Sequence, residues 1–436
     1  MRPNPVSNSI INNQMITRMA LALRRNQNSL VQNVDRSYQD QFAQNGGKIG
    51  DTVNVRLPND NVAIEGATVN PQGMQERSIP LVIDKRWNTS LSFTTQDRTL
   101  KVDRFAERYV APSVNVLVGA LAADLIGLSL QFSNLVRNVD SEGNTIVPSS
   151  NTWLRANAIL SECNAEAANR YAILDPLSEA DTVAGLMGMF NPAGEISDIN
   201  RSGRMGSRLL GVSGWMQDNT VIVHETGSYD GQATATGAVN SFTPTGQVVP
   251  SANISSVASP HMSLISVSAL NGGFKAGDII TITGVNRVNR ITKQSRAIPM
   301  QFVVAQDVAS GATSIPIMPA LIPPNSDGSA ALYQTVDSAP ANGAKVNLIG
   351  KAGEVTRRNF IYHKKAMTLA TVDLEMVTGA TIDCGRDNLD GISLRTLTYY
   401  DGPVDVRGTR MDLLYGKAML RPDWGVVVPS PTDDGF

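Results

Sequence analysis

At 436 residues the chain has room for about three domains and for at least one large core. Its 37 Lys and Arg stand against 39 Asp and Glu, and this near-neutral balance excludes a chain devoted to nucleic-acid binding, which carries a strong basic excess. Aromatic residues make up 5% and charged residues 17%, while Gly, Ser, Thr, Asn and Ala are abundant, a composition that suits flat β-surface meeting other protein surfaces.

Cys163 and Cys384 stand without a CxxC or a neighbouring histidine, so neither a disulfide framework nor a zinc site is read from them, and a reducing compartment is expected. The apolar run "VLVGALAA" (116–123) is too short to span a bilayer and ends at Asp124. "MALAL" followed by Arg24 and Arg25 is too short and wrongly flanked for a secretory signal. The expectation is a soluble intracellular protein.

Residues 1–34 carry Arg2, Arg18, Arg24 and Arg25 and no acidic residue. Ile10, Ile11, Met15, Met19 and Leu23 recur at helical spacing and predict an amphipathic arm over about 8–33, whose apolar stripe must be buried on its own domain or on a neighbour. From 48 to 95 the pattern turns to β: Val53, Val55 and Leu57 alternate, and "IPLVIDKRWNTSLSF" carries a second run through Leu91 and Phe93. The polar stretch between them makes an extended hairpin that has to lean on something else. Next comes the clearest helix, capped by Asp103, with Phe105, Tyr109, Val114, Leu117, Val118, Leu121, Leu125 and Leu128 at steps of three and four; Pro112 predicts a kink or a restart. A helix over 152–168 follows, then "RYAILDP" as a buried strand, then a helix opened by Ser178 and Asp181 as a capping-box-like pair.

Gly231 to Phe274 contains no Asp, Glu, Lys or Arg. Strand signals continue through "DIITITGV", "IPMQFVVAQDV" and "TSIPIMPAL", so a compact all-β barrel or sandwich is expected over about 226–350. Mixed character returns in "RNFIYHKKAMTLAT", "ISLRTLTYYDG" and "TRMDLLYGKAML", which makes the β unit an insertion. "GGFKAGDIITITGV" (272–285) resembles a phosphate loop at first sight. However, Lys275 precedes the last glycine, Gly277, and the β-branched residues Ile279 to Thr283 favour a strand over the helix that such a loop must open. The reading is a turn feeding a strand.

No credible active site emerges. His224, His261 and His363 are far apart with no paired metal spacing, and His363, beside Lys364 and Lys365, has no nucleophile motif near it. Asp383, Arg386, Asp387 and Asp390 in "DCGRDNLDG" lack calcium-loop spacing and read as a solvated loop; Asp373 and Glu375 read as surface charges on one face of a strand. GxSxG, HExxH and the dinucleotide fingerprint are absent. Neither cofactor nor metal is expected, nor an enzyme.

The order of elements resembles the major capsid proteins of tailed double-stranded-DNA bacteriophages, in the Hong Kong 97-like fold of short-tailed phages with an inserted β-domain. Four stretches carry the likeness: "SLSFTTQDRTLKVDRFAERYVAPSVNVLVGALAADL" (90–125), "YAILDPLSEADTVAG" (171–185), "FKAGDIITITGVNRVNRITKQ" (274–294) and "DGPVDVRGTRMDLLYGKAMLRPDWGVVV" (401–428). None is diagnostic alone; their colinearity is what matches. The resemblance implies an α+β fold divided as follows: helical arm 1–44, extended loop 45–95, peripheral domain with spine helix 96–150, axial domain 151–225, inserted β-domain 226–350 and closing part 351–436.

It also implies self-assembly through hexamers and pentamers into an icosahedral head enclosing DNA, with a scaffolding protein and a portal. The shell would be built in the host bacterial cytoplasm, without a membrane and with only weak, non-specific DNA contact. On this reading Arg18, Arg24 and Arg25 face scaffold or DNA phosphate, and Lys48, Arg56, Asp60, Glu65, Glu76, Arg77 and Arg86 supply contacts between subunits. The stretch 245–262, where a loop between capsomers falls in such relatives, has no formal charge, so a charge-pair latch there is not expected. A bacterial nanocompartment shell of the same fold usually lacks so large an insertion. A carbohydrate-binding β-protein would need more aromatic residues than this chain has.

Overall fold

The alternation of Val53, Val55 and Leu57 builds β1 (Thr52–Arg56) with Val55 and Leu57 buried. The computed structural model describes residues 29–39, 52–58, 60–63, 67, 77–94, 109, 111–186, 209–231, 233–240, 261–325, 327–377, 379, 382–389 and 392–432. Of the arm expected over 8–33, only the short helix α1 (Ser29–Gln32) is among them, with Leu30 and Val31 buried. β1 pairs with β2 (Ser78–Val82). The second arm of the expected hairpin does not run on through Phe93: strand lapses at Ile83 and Asp84, and β3 (Lys85–Thr94) pairs elsewhere. Buried Ile79 and Leu81 and half-buried Thr89, Leu91 and Phe93 all occupy odd positions, so a two-residue break leaves the period-2 pattern unchanged and invisible to it.

The helix α2 (Ala111–Ile126) places Pro112 in its first turn, where a missing N–H breaks no intrahelical bond. Val114, Leu117, Val118, Leu121 and Leu125 are each no more than 2% exposed. Pro112–Gln131, 20 residues with mean hydropathy 1.8, is long and apolar enough to cross a membrane by length and composition, which the run 116–123 by itself did not suggest. The buried stripe is that of a core helix.

After β4 (Asn134–Leu135), α3 (Ser150–Glu162) opens on a capping box: Thr152 N donates to Ser149 Oγ at 3.3 Å and Ser149 N to Thr152 Oγ1 at 3.2 Å. It stops short of the expected 168 because Asn164 takes φ 57°, a left-handed turn that asparagine tolerates. β5 (Arg170–Leu174) leads into α4 (Pro176–Leu186). The cap of α4 is Asp175, which accepts from Leu177 N at 3.2 Å, with Pro176 in first position. Ser178 and Asp181, expected to open this helix, lie inside it, and Ser178 Oγ meets Ser430 Oγ at 2.6 Å.

The remaining strands are β6 (Gly214–Gln217), β7 (Val223–Glu225), β8 (Ala235–Asn240), β9 (Ser263–Val267), β10 (Ile279–Val288), β11 (Ser295–Val304), β12 (Ser314–Met318), β13 (Val346–Leu348), β14 (Val355–His363), β15 (Met367–Thr371), β16 (Ile382–Leu389), β17 (Ile392–Asp401), β18 (Val406–Met419) and β19 (Gly425–Pro431). The chain divides into two compact units: Met1–Val53, Leu81–Leu125 and Thr368–Ala418 make one, and Asn54–Pro80, Ile126–Met367 and Met419–Phe436 the other.

The sheet of the first unit runs β15-β18-β17-β16, with β3 also on β18. The stretch expected to be a solvated loop is strand β16, with Asp383 opposite Thr398, Arg386 opposite Arg395 and Asp387 opposite Leu394. An edge strand can be this polar because one side of it needs no partner strand. Conversely, 372–377 is not strand: Asp373 accepts from Ser393 Oγ at 2.5 Å and stands 3.4 Å from Arg386.

The second unit holds two six-stranded sheets. One is ordered β4-β19-β14-β5-β6, with β7 also on β14. In it Phe132 packs on Phe360 with ring centroids 5.5 Å apart, and a Cβ at Gly425 would stand 2.0 Å from the Phe132 ring. The other is ordered β13-β10-β11-β12-β9-β8 and encloses its own core of Ile280, Ile282, Phe302, Val304, Ile315 and Ile317.

Candidate assembly surfaces

The glycine-rich turn before β10 does aim backbone amides at an anion, and the anion is the chain's own. Asp278 accepts from Lys275 N at 2.8 Å and from Gly227 N at 3.0 Å, and lies 3.0 Å from His224 Nε2. Gly277 sits at φ +100° with Leu130 2.9 Å from where a Cβ would be, so glycine is required there. Its carbonyl accepts from Arg358 Nη1 at 2.9 Å. Burial pushes the Arg358 guanidinium down to about 10, with Asp278 opposing the shift. A phosphate would find these amides already satisfied.

Of the charged hairpin residues, Asp60 and Arg77 come together with groups of the second unit. Asp60 accepts from Arg290 Nε at 2.7 Å and lies 3.7 Å from Lys293 Nζ. Arg77 stacks over the Tyr333 ring, 3.9 Å from its centroid, and is pushed down to about 10 by burial, then by the nearby Arg290. Arg86 belongs to the first unit, where it reaches Asp412 at 3.4 Å. Arg56 is exposed on β1. Arg18, Arg24, Arg25, Lys48, Glu65 and Glu76 lie outside the described residues, as does the uncharged stretch 245–260.

The histidines have structural settings. His261 is buried and pushed down to about 3, first by burial and then by Arg77 and Arg290. His363 is buried, accepts from Lys365 N at 3.2 Å, and is lowered chiefly by burial. Among the described residues no group of three or more His, Cys, Asp or Glu could hold a metal ion.

Sequence reading missed the apolar turn tips. Ile291 is 70% exposed in the β10–β11 turn, with Ile298 exposed nearby, and Val404 is 65% exposed in the β17–β18 turn beside exposed Tyr399 and Tyr400. Single exposed apolar residues are ordinary, and it is a contiguous exposed apolar patch that marks a protein contact. The signal was present in "YYDGPVDV", where a valine stands among turn formers.

A comparison with curated protein sequences returned no match. Among solved structures, the chain is similar to a protein of Mycobacterium phage Che8, at 10% identity over 91% of this chain and 89% of that one, TM-score 0.43. It is similar to the mature capsid of bacteriophage PhiM1, at 10% identity over 99% and 91%, TM-score 0.41. It is also similar to the CUS-3 coat protein I-domain, at 29% identity over 29% of this chain and 96% of that one, TM-score 0.18. The mixed α+β architecture with several sheets is consistent with the Hong Kong 97-like fold. A family model described as P22 coat protein, gene protein 5, matches residues 11–429, so the chain belongs to the P22 coat protein family and is a tailed-phage major capsid protein.

Proposed function

We propose that many copies of this chain assemble through hexamers and pentamers into an icosahedral head that encloses double-stranded DNA, with a scaffolding protein and a portal, in the host bacterial cytoplasm. The role is structural, without catalysis. The family match across residues 11–429 carries this reading. The exposed apolar side chains of Ile291 and Val404 are compatible with it, because weak contacts repeated over a lattice sum steeply.

Within the shell, Arg18, Arg24 and Arg25 meet scaffold or DNA phosphate, a salt-dependent attraction. Lys48, Arg56, Glu65 and Glu76 are the hairpin charges assigned to neighbouring subunits on this reading, while Asp60, Arg77 and Arg86 already have partners in their own chain. The test is negative-stain electron microscopy of the chain expressed with and without its neighbouring scaffold gene. Closed shells are expected with scaffold, and replacing the three arm arginines with Gln reduces scaffold recruitment. Monodisperse monomers in both preparations at high concentration overturn the assembly reading.

A further inference from the structure

A cavity of about 60 Å³ in the second unit is lined by Arg77, Arg287, Arg290, Asn164, Gln334 and Asp423, among others. That is room for a few waters or one small ion. Arg77 and Arg287 are 5% and 7% exposed, yet the Nε–H of each has no hydrogen-bond partner. Asn164 Nδ2 and Gln334 Oε1, also buried, lack partners too. Gln334 Nε2 donates to Val336 O at 3.0 Å, which fixes its oxygen as the free acceptor.

The charges do not balance locally. Arg290 is served by Asp60 at 2.7 Å and Asp423 at 3.9 Å. Glu162, also in the lining, gives both oxygens to Arg296 at 2.8 and 2.9 Å. Among the described residues, neither Arg77 nor Arg287 has a carboxylate within ion-pair distance. Arg287 instead donates to Asn134 Oδ1 and to the sulfur of Cys163, a thiol that burial pushes up to about 11 and keeps neutral. Two buried cations without a counter-charge are costly, and orphaned donors add to that cost.

We propose that this cavity binds one small protonated oxyanion of the inorganic-phosphate class, held by the Nε–H groups of Arg77 and Arg287 with Asn164 donating, while Gln334 accepts from its P–OH. Bound there, the anion ties the start of β2 to β10 within one subunit.

The test uses the full-length chain. Inorganic phosphate is titrated calorimetrically, and thermal unfolding is followed in phosphate, sulfate and chloride at equal ionic strength. One saturable phosphate per chain is expected, with a rise in Tm that saturates alongside it. Sulfate at neutral pH has no O–H for Gln334 and binds at least about tenfold more weakly. Arg77→Met removes a buried cation beside Arg290, so in chloride it is at least as stable as the parent. It loses the saturable phosphate response, which separates loss of the site from misfolding; Arg287→Met is the harsher companion. Equal phosphate effects on parent and Arg77→Met, or no saturation, overturn the proposal and leave a water-filled cavity. Phosphate binding that appears only after Glu65→Gln and Glu76→Gln also overturns it, by assigning the cavity to a carboxylate of the chain.

Discussion

Asp412 lies on β18 with its side chain fully buried, opposite Arg395 of β17. It accepts from Arg395 Nη2 at 2.6 Å, Arg410 Nε at 2.8 Å and Arg86 Nη2 at 3.4 Å. The three arginines differ in exposure: their side chains are 10%, 38% and 45% accessible in that order. Asp412→Asn keeps the shape and removes the charge, leaving the Arg395 guanidinium buried against an amide. Breaking a buried pair this way costs about 3–5 kcal/mol. Arg86→Ala, by contrast, removes a long contact that water already screens and costs under about 1 kcal/mol. Arg410→Ala falls between them. Replacing Asp412 and Arg395 together by Leu and Met recovers most of the loss, because the charges left without a partner, Arg410 and Arg86, are the ones that water reaches.

Hydrogen exchange at the β17 and β18 amides reads the opening of this sheet without requiring the whole chain to unfold in two states. Asp412→Asn should speed that exchange more than about 100-fold, a free-energy change of roughly 3 kcal/mol. Burial alone would raise the Asp412 carboxyl, and the hydrogen bonds from Arg395 and Arg410 more than reverse it. Its folded pKa is therefore below its unfolded value, so its stabilisation is present above about pH 4 and is lost as pH falls further. The Asn variant should lack that acid limb. Less than fivefold acceleration, or an Arg86→Ala effect as large as that of Asp412→Asn, would refute the reasoning.

Gly425→Ala drives a Cβ to 2.0 Å from the Phe132 ring, itself held against Phe360, and should cost about 3 kcal/mol, read as a fall in Tm or in soluble yield. His261 resists protonation in the fold down to about 3, whereas the unfolded chain takes the proton near 6.5, so stability should fall by about 1.4 kcal/mol per pH unit across that window. Denaturation midpoints at pH 7, 6 and 5 should drop less steeply in His261→Gln than in the parent.

What the residues reveal in advance depends on how local the determining interaction is. The α2 stripe from Val114 to Leu125 was legible because one buried face repeats at helical spacing. The turn before β10 was legible because Gly277 and the β-branched run decide it locally. β16 was hidden because its polar sequence offers no alternation, and its identity comes from pairing with β17. The helix cap at Asp175 is readable in the Asp-Pro pair, whereas the capping-box-like spacing of Ser178 and Asp181 falls inside the helix and marks no end of it. Asp60 and Arg290 are 230 residues apart, and no window along the chain joins them. The candidate anion cavity is still less visible, since it is defined by what Arg77 and Arg287 lack.

The placement of charge bears on how copies meet. With only 17% charged residues, the chain commits many of them internally: Asp278 to its turn, Asp412 to three arginines, Asp60 to Arg290, and Glu354 to Arg137 at 2.7 Å. Charges used this way fix register inside a subunit and are weakly screened by salt. Among the described residues the most exposed large apolar side chains are Ile291, Val116, Val404 and Val223. On the proposed assembly, a subunit built so would keep much of its electrostatics for its own fold and offer neighbours contacts that are non-directional and individually weak. Lattice growth favours such contacts, because misplaced copies can leave before repetition locks them in.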